Sequence, residues 1–202
     1  MGENAVGAAA AVPLVPDHEI VCRLCFKAGI PITVDKKYPD EIDPSSGKIR
    51  ATQISQQDLT KRGFSLQRVS LYSRQLAAAQ PVRKELARKE RGLEPAGFVL
   101  QGVVSGRVKE IHAVRDGGGR TIFCVYATPN DDSDAHAEVK FAPGVKGSEY
   151  IKWRVVLVDL LGTLQPVESL PSVSSSLGER ILKFIEVCRA SFAKLLTQFL
   201  RR

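Results

Sequence analysis

Cysteine is scarce in this chain: Cys22, Cys25, Cys124 and Cys188 are the only four in 202 residues, far below the density of a disulfide-stapled scaffold. Two of the four lie in apolar runs, where a free thiol packs as a small hydrophobe, so a reducing compartment is expected. Long hydrophobic runs are missing as well. No stretch approaches the roughly 18 apolar residues that a membrane-spanning helix needs. No basic residue precedes Arg23, and the apolar run at residues 8–12 is short, so the marks of a secretory signal peptide are absent and a cytoplasmic location is the expectation. Aromatic residues make up only 6% of the chain, which leaves few rings on which nucleic-acid bases could stack. No internal repeat is visible.

The hydrophobic share of 44% and the charged share of 25% are those of an ordinary globular protein with enough length to bury a core. What stands out is where the charge lies. Residues 61–91 hold nine basic side chains (Lys61, Arg62, Arg68, Arg74, Arg83, Lys84, Arg88, Lys89, Arg91) against Glu85 and Glu90, a local balance of +7 that equals the net charge of the whole chain. A basic stretch of this kind attracts polyanions or acidic proteins, and it is also what a solvated helix face looks like.

Residues 1–17 read as a mobile, Ala-rich tail broken by Pro13 and Pro16. Residues 19–26 form an apolar run with one central charge and are expected to be a strand. Five Gly and Pro residues among many charges then predict an irregular excursion over 27–50, with a short strand at Ile32 to Val34. Ser55 with Asp58 three residues on is a helix-start pattern, and Gly63 is a stop. Over 64–72 a strand with a bulge and a short helix fit equally well. Residues 75–91 predict a helix ending at Gly92, with a Glu85–Lys89 pair and with Pro81 imposing a kink or a second start near Gln80.

The segment 97–162 has the strongest core character. Three β-branched runs, at 98–114, 121–127 and 137–141, are separated by Asp116-Gly117-Gly118-Gly119 and by a polar connection from Pro129 to Asp134, which predicts an antiparallel meander. Ala137, Val139 and Phe141 share one parity, so the last strand turns one face to a core. Residues 150–161 are read as a buried helix rather than a strand, with Gly162 as its stop. A linker over 170–178 leads to an amphipathic helix at 179–202, whose seam is Ile181, Ile185, Cys188, Phe192, Leu195 and Phe199. The expected fold is thus α+β: a small antiparallel β-meander packed against a buried helix in a core domain at 18–169, with a basic helical segment at about 55–92 before the meander and a C-terminal amphipathic helix after it.

Few residues suggest chemistry. Cys22-Arg23-Leu24-Cys25 is a CxxC without a second ligand pair, and on a strand its thiols would point to opposite faces. Asp131, Asp132, Asp134, His136 and Glu138 gather carboxylates suited to a hard cation, although the EF-hand spacing is not met. Gly117 to Arg120 lacks the ending of a phosphate loop and is read as a hairpin tip.

Two functions follow. The first is a non-catalytic binding or adaptor subunit without a cofactor. Ile181, Ile185, Phe192, Leu195 and Phe199 would meet a protein partner, a sister chain or a membrane surface, while Lys61, Arg62, Arg83, Lys84, Arg88, Lys89 and Arg91 would face nucleic acid, another polyanion or an acidic protein. The second is a small metal-dependent hydrolase or nuclease. There His136 is the base, Asp134 and His112 assist, and Asp131, Asp132 and Asp134 hold a divalent ion.

Overall fold

A computed structural model describes residues 12–29, 40–130 and 133–172. The strand expected at Ile32 to Val34, the metal candidates Asp131 and Asp132, and the helix at 179–202 with its seam lie outside the described residues.

The fold is α+β, built on one five-stranded antiparallel sheet. Its strands are β1 (Ile20–Ala28), β2 (Phe64–Arg68), β3 (Phe98–Arg107), β4 (Phe123–Ala127) and β5 (His136–Phe141). They lie side by side in the order β3-β1-β2-β5-β4. The helices are α1 (Arg74–Glu90), α2 (Val108–His112) and α3 (Tyr150–Leu160). Among the described residues, no helix is long and apolar enough to cross a membrane.

Local signals act as the sequence predicts in several places. Ser55 and Asp58 form a reciprocal cap: the Ser55 hydroxyl accepts from the Asp58 N–H at 3.1 Å, and the Asp58 carboxylate accepts from the Ser55 N–H at 2.8 Å. The short helical turn Asp58–Arg62 ends at Gly63, whose φ of +94° suits glycine. The stretch after Gly63 is a strand followed by a one-turn helix at Val69–Leu71. α1 runs as one helix through Pro81, starting on a Ser73 cap and closing where the Gly92 N–H reaches the Lys89 carbonyl. Glu85 accepts from the Ala96 and Phe98 N–H groups and ties α1 to the start of β3.

The strand expected over 98–114 is shorter. It stops at Arg107 because the next two N–H groups leave the sheet: Val108 donates to the Glu19 carbonyl and Lys109 to the Asp17 carbonyl, which turns the chain into α2. The antiparallel pairing of β4 with β5 is as expected, whereas β3 pairs with β1 at the far edge rather than with β4. One bulge opposite Cys25 and Phe26 inserts Gln101, which keeps Leu100 and Val103 on the same face as Leu24 and Phe26. Next to the bulge, Gly102 allows residues 163–165 to lie against β3: a Cβ there would sit 2.4 Å from the Gln165 carbonyl oxygen.

Apolar residues cover both faces of the sheet. Val21, Val104, Phe123, Val125 and Val139 pack under α2 and α3, where Ile111, Trp153 and Leu157 are buried. On the other face Cys22, Leu24, Phe26 and Val103 pack with Tyr72 and with Ala77 of α1. α3 buries one side only, and Ile151 and Val155 face outward. The segment around Pro13 to Val15, which composition assigns to the tail, is part of this body. Val15 is buried and donates to the Val125 carbonyl, and Ala127 donates to the Pro13 carbonyl, so the free edge of β4 is occupied.

Candidate anion-binding cleft

β1 is nine residues long, but its ladder with β2 is confined to Val21–Arg68 and Cys22–Gln67, so beyond Cys22 one side of β1 has no strand partner among the described residues. Side chains fill that gap. The Glu41 carboxylate accepts from the Phe26 N–H at 2.9 Å and lies 3.5 Å from the Arg23 guanidinium. Arg23 in turn donates to the Ser65 carbonyl at 3.2 Å and stacks 4.5 Å from the Phe64 ring centroid.

Above this opening α1 carries Lys84 and Arg88, and Arg91 caps its C-terminal end, at spacings of four and three, the repeat that puts side chains on one helix face. They line a cleft of about 480 Å³ with Phe26, Lys27, Ala28, Glu41, Thr52, Gln53, Ala87 and Phe98. Lys84 Nζ lies 4.4 Å from the centroid of Phe26 and 5.2 Å from that of Phe98. Burial pulls the Lys84 pKa below the ordinary lysine value, while the Glu41 charge pulls the other way. Arg88 is buried, with Nε and Nη2 donating to the Glu94 carbonyl at 2.8 and 2.6 Å, and its guanidinium lies 6.0 Å from the Phe98 ring. Among the described lining residues there are four cationic side chains and one carboxylate. An anion entering here would meet charges partly withdrawn from water, where Coulomb attraction is stronger than at an open surface.

The structure thus brings Lys84, Arg88 and Arg91 together and leaves the other basic candidates outside the cleft. Lys61 and Arg62 are exposed on the Asp58–Arg62 turn, Lys89 is exposed, and Arg83 is half-buried. Lys27 and Glu41, with Phe26 and Phe98, escaped the sequence reading. The spacing of 84, 88 and 91 is visible in the sequence, and so are the strands at 19–26 and from residue 98, but not the pairing of those two strands beneath the helix.

The proposed catalytic groups are dispersed. His112 Nδ1 lies 2.6 Å from Asp17 Oδ1, and its Nε2 accepts from the Val125 N–H at 3.1 Å, so this ring closes the edge of β4. His136 has other partners: Ser65 Oγ at 2.9 Å on Nε2, and Thr128 on Nδ1. Asp134 is exposed. Among the described residues, no three His, Cys, Asp or Glu side chains gather as metal ligands would. Cys22 packs on the α1 side of the sheet and Cys25 on the α3 side, and burial pushes both thiols up to about 12. Compared with protein-family models, curated proteins and solved structures, the chain matches no family, no curated protein and no solved structure.

Proposed function

We propose that this protein is a binding or adaptor protein whose cleft beside α1 takes an anionic segment of a partner, with single-stranded nucleic acid as the polyanion. The observation that supports this reading is the convergence of Lys27, Lys84, Arg88 and Arg91 on one opening that Glu41 alone counters among the described lining residues. Arg88 and Lys84 are held in place by Glu94 and by two aromatic rings, so the cationic surface is arranged before a ligand arrives. The amphipathic segment at 179–202 would supply the second contact, through Ile181, Ile185, Phe192, Leu195 and Phe199, with apolar burial for affinity and charge for steering.

The test reverses the exposed cations and spares the buried ones. Lys27 and Arg91 changed together to Glu should abolish retention on a short single-stranded RNA at low salt. Wild-type affinity should fall steeply with salt, each neutralised phosphate adding about 0.7 to the log–log slope. If the wild-type protein shows no retention at low salt, or the double variant binds equally well, the polyanion reading is wrong. Deleting residues 179–202 tests the second contact: a truncated protein with unchanged oligomeric state and unchanged partner recovery would refute it.

A further inference from the structure

The outer faces of β2, β5 and β4 carry the polar parity of their strands, away from the α3 core. Ser65 and Gln67 on β2 stand opposite Glu138 and His136 on β5. Across this register Ser65 Oγ reaches His136 Nε2 diagonally at 2.9 Å, within the 2.6–3.2 Å expected of a nucleophile and its base. The other ring nitrogen is also committed. His136 Nδ1 lies 2.9 Å from the Thr128 carbonyl oxygen and 2.9 Å from the Thr128 hydroxyl. A carbonyl oxygen only accepts, and an unprotonated Nδ1 would set two lone pairs against each other, so the neutral ring carries its proton on Nδ1. That tautomer leaves the Nε2 lone pair facing the Ser65 hydroxyl, which donates to it. Ser65 is exposed, and the hairpin bond from the Thr128 N–H to the His136 carbonyl holds the orienting group in place.

We propose that Ser65, His136 and Thr128 form a serine nucleophile, a general base and its backbone orienter, and that this face hydrolyses activated carboxylic esters. The Ser65 Oγ lone pair forms a bond to the ester carbonyl carbon, the carbonyl π electrons move onto its oxygen, and the Oγ proton passes to His136 Nε2. Collapse re-forms the carbonyl and breaks the bond to the leaving oxygen, which departs as the alcohol with the Nε2 proton. Water then attacks the acyl-Ser65 in the same way, giving its proton to Nε2. The second collapse releases the carboxylic acid and returns the proton to Ser65. Glu138 and Lys140, paired at 2.8 Å, stand on the same face and would border a bound ester. This site shares no lining residue with the α1 cleft and stands without the binding reading.

The experiment treats the full chain with a fluorophosphonate probe and, separately, with an aryl acetate, and maps the adduct by peptide mass spectrometry. The expected adduct is on Ser65. It should be absent in Ser65→Ala, and His136→Gln should slow its formation at least about 100-fold, the usual contribution of a positioned base. Free imidazole should restore part of the rate in His136→Ala, which a merely structural histidine would not permit. Thermal melting of each variant checks folding; Ser65 is an exposed hydroxyl whose removal leaves the backbone ladder intact. The proposal fails if the folded wild-type protein takes no label, if the adduct maps elsewhere, or if His136→Gln labels Ser65 at the wild-type rate.

Discussion

The junction between the first two strands hangs on one buried carboxylate, and replacing it with the neutral amide, Glu19→Gln, should leave a pH-dependent scar. Glu19 is 8% exposed and precedes β1, and Arg68 ends β2. Both guanidinium arms of Arg68 reach it: Nε donates to Oε2 at 2.9 Å and Nη2 to Oε1, while the Ser70 hydroxyl adds a third bond at 2.9 Å. The Arg68 bonds, opposed in part by burial, hold the Glu19 carboxyl below its ordinary value of 4.5. Breaking a buried pair by removing one charge costs about 3–5 kcal/mol, because the other charge is left uncompensated. The Arg68 side chain keeps 21% of its exposure, so water recovers part of that loss and about 2–3 kcal/mol is the expected figure at neutral pH. For a body of this size that is roughly 4–12 °C in Tm.

The sign of the pH dependence follows from the direction of the shift. A carboxyl whose pKa is lowered by folding binds protons more weakly in the folded state, so it contributes its full stabilisation above 4.5, and that contribution drains away as pH falls through the folded value. Melting curves of wild type and Glu19→Gln should therefore lie far apart at about pH 7 and draw closer at acid pH, as the pH falls through the lowered folded-state value of Glu19 and its side chain becomes neutral like that of the variant. A gap of equal size at both pH values would mean that Glu19 acts through packing alone. A double variant, Glu19→Leu with Arg68→Met, should melt above the single variant, since no charge is then stranded.

Two further outcomes test the architecture. Gly102→Ala should lower the urea midpoint by the equivalent of about 1–3 kcal/mol, because its methyl would collide with the Gln165 backbone oxygen and push residues 163–165 off β3. Under native conditions Cys22 and Cys25 should resist a thiol reagent, with thiols pushed up to about 12 and buried on opposite sides of β1, while half-buried Cys124 reacts before either of them; fast modification of Cys22 or Cys25 in the folded protein would contradict their placement.

Features held within a few residues were legible in the sequence. Ser55 and Asp58 satisfy each other's backbone across three positions, and Gly63 ends that turn, so composition and spacing were enough. The alternation of Ala137, Val139 and Phe141 likewise revealed which face of β5 is buried, since a strand has only two faces. The end of β3 could not be read in this way. Residues 98–114 hold enough apolar and β-branched side chains to extend a strand, and what stops it at Arg107 is the capture of two N–H groups by the carbonyls of Asp17 and Glu19, about ninety positions earlier. No local pattern carries that information.

The same distinction governs the two candidate sites. The cations of α1 share a face because the helix repeat puts them there, but the site arises only because β1 loses its ladder with β2 after Cys22 and because Phe26 and Phe98 come from strands paired in register across the bulge. Ser65 and His136 are 71 residues apart; the acidic neighbours of His136 mark it as a candidate base, but no neighbour in sequence marks Ser65 as a nucleophile. Their approach depends on β2 pairing with β5, a contact that inserts one strand between two others and reverses the order expected of a meander. Had the sheet followed the order of the chain, β2 would have lain beside β3 and Ser65 would not have met His136. Where chemistry rests on cross-strand geometry of this kind, the strand order decides whether a site exists at all, and the reactivity of Ser65 is accordingly also a direct test of that order.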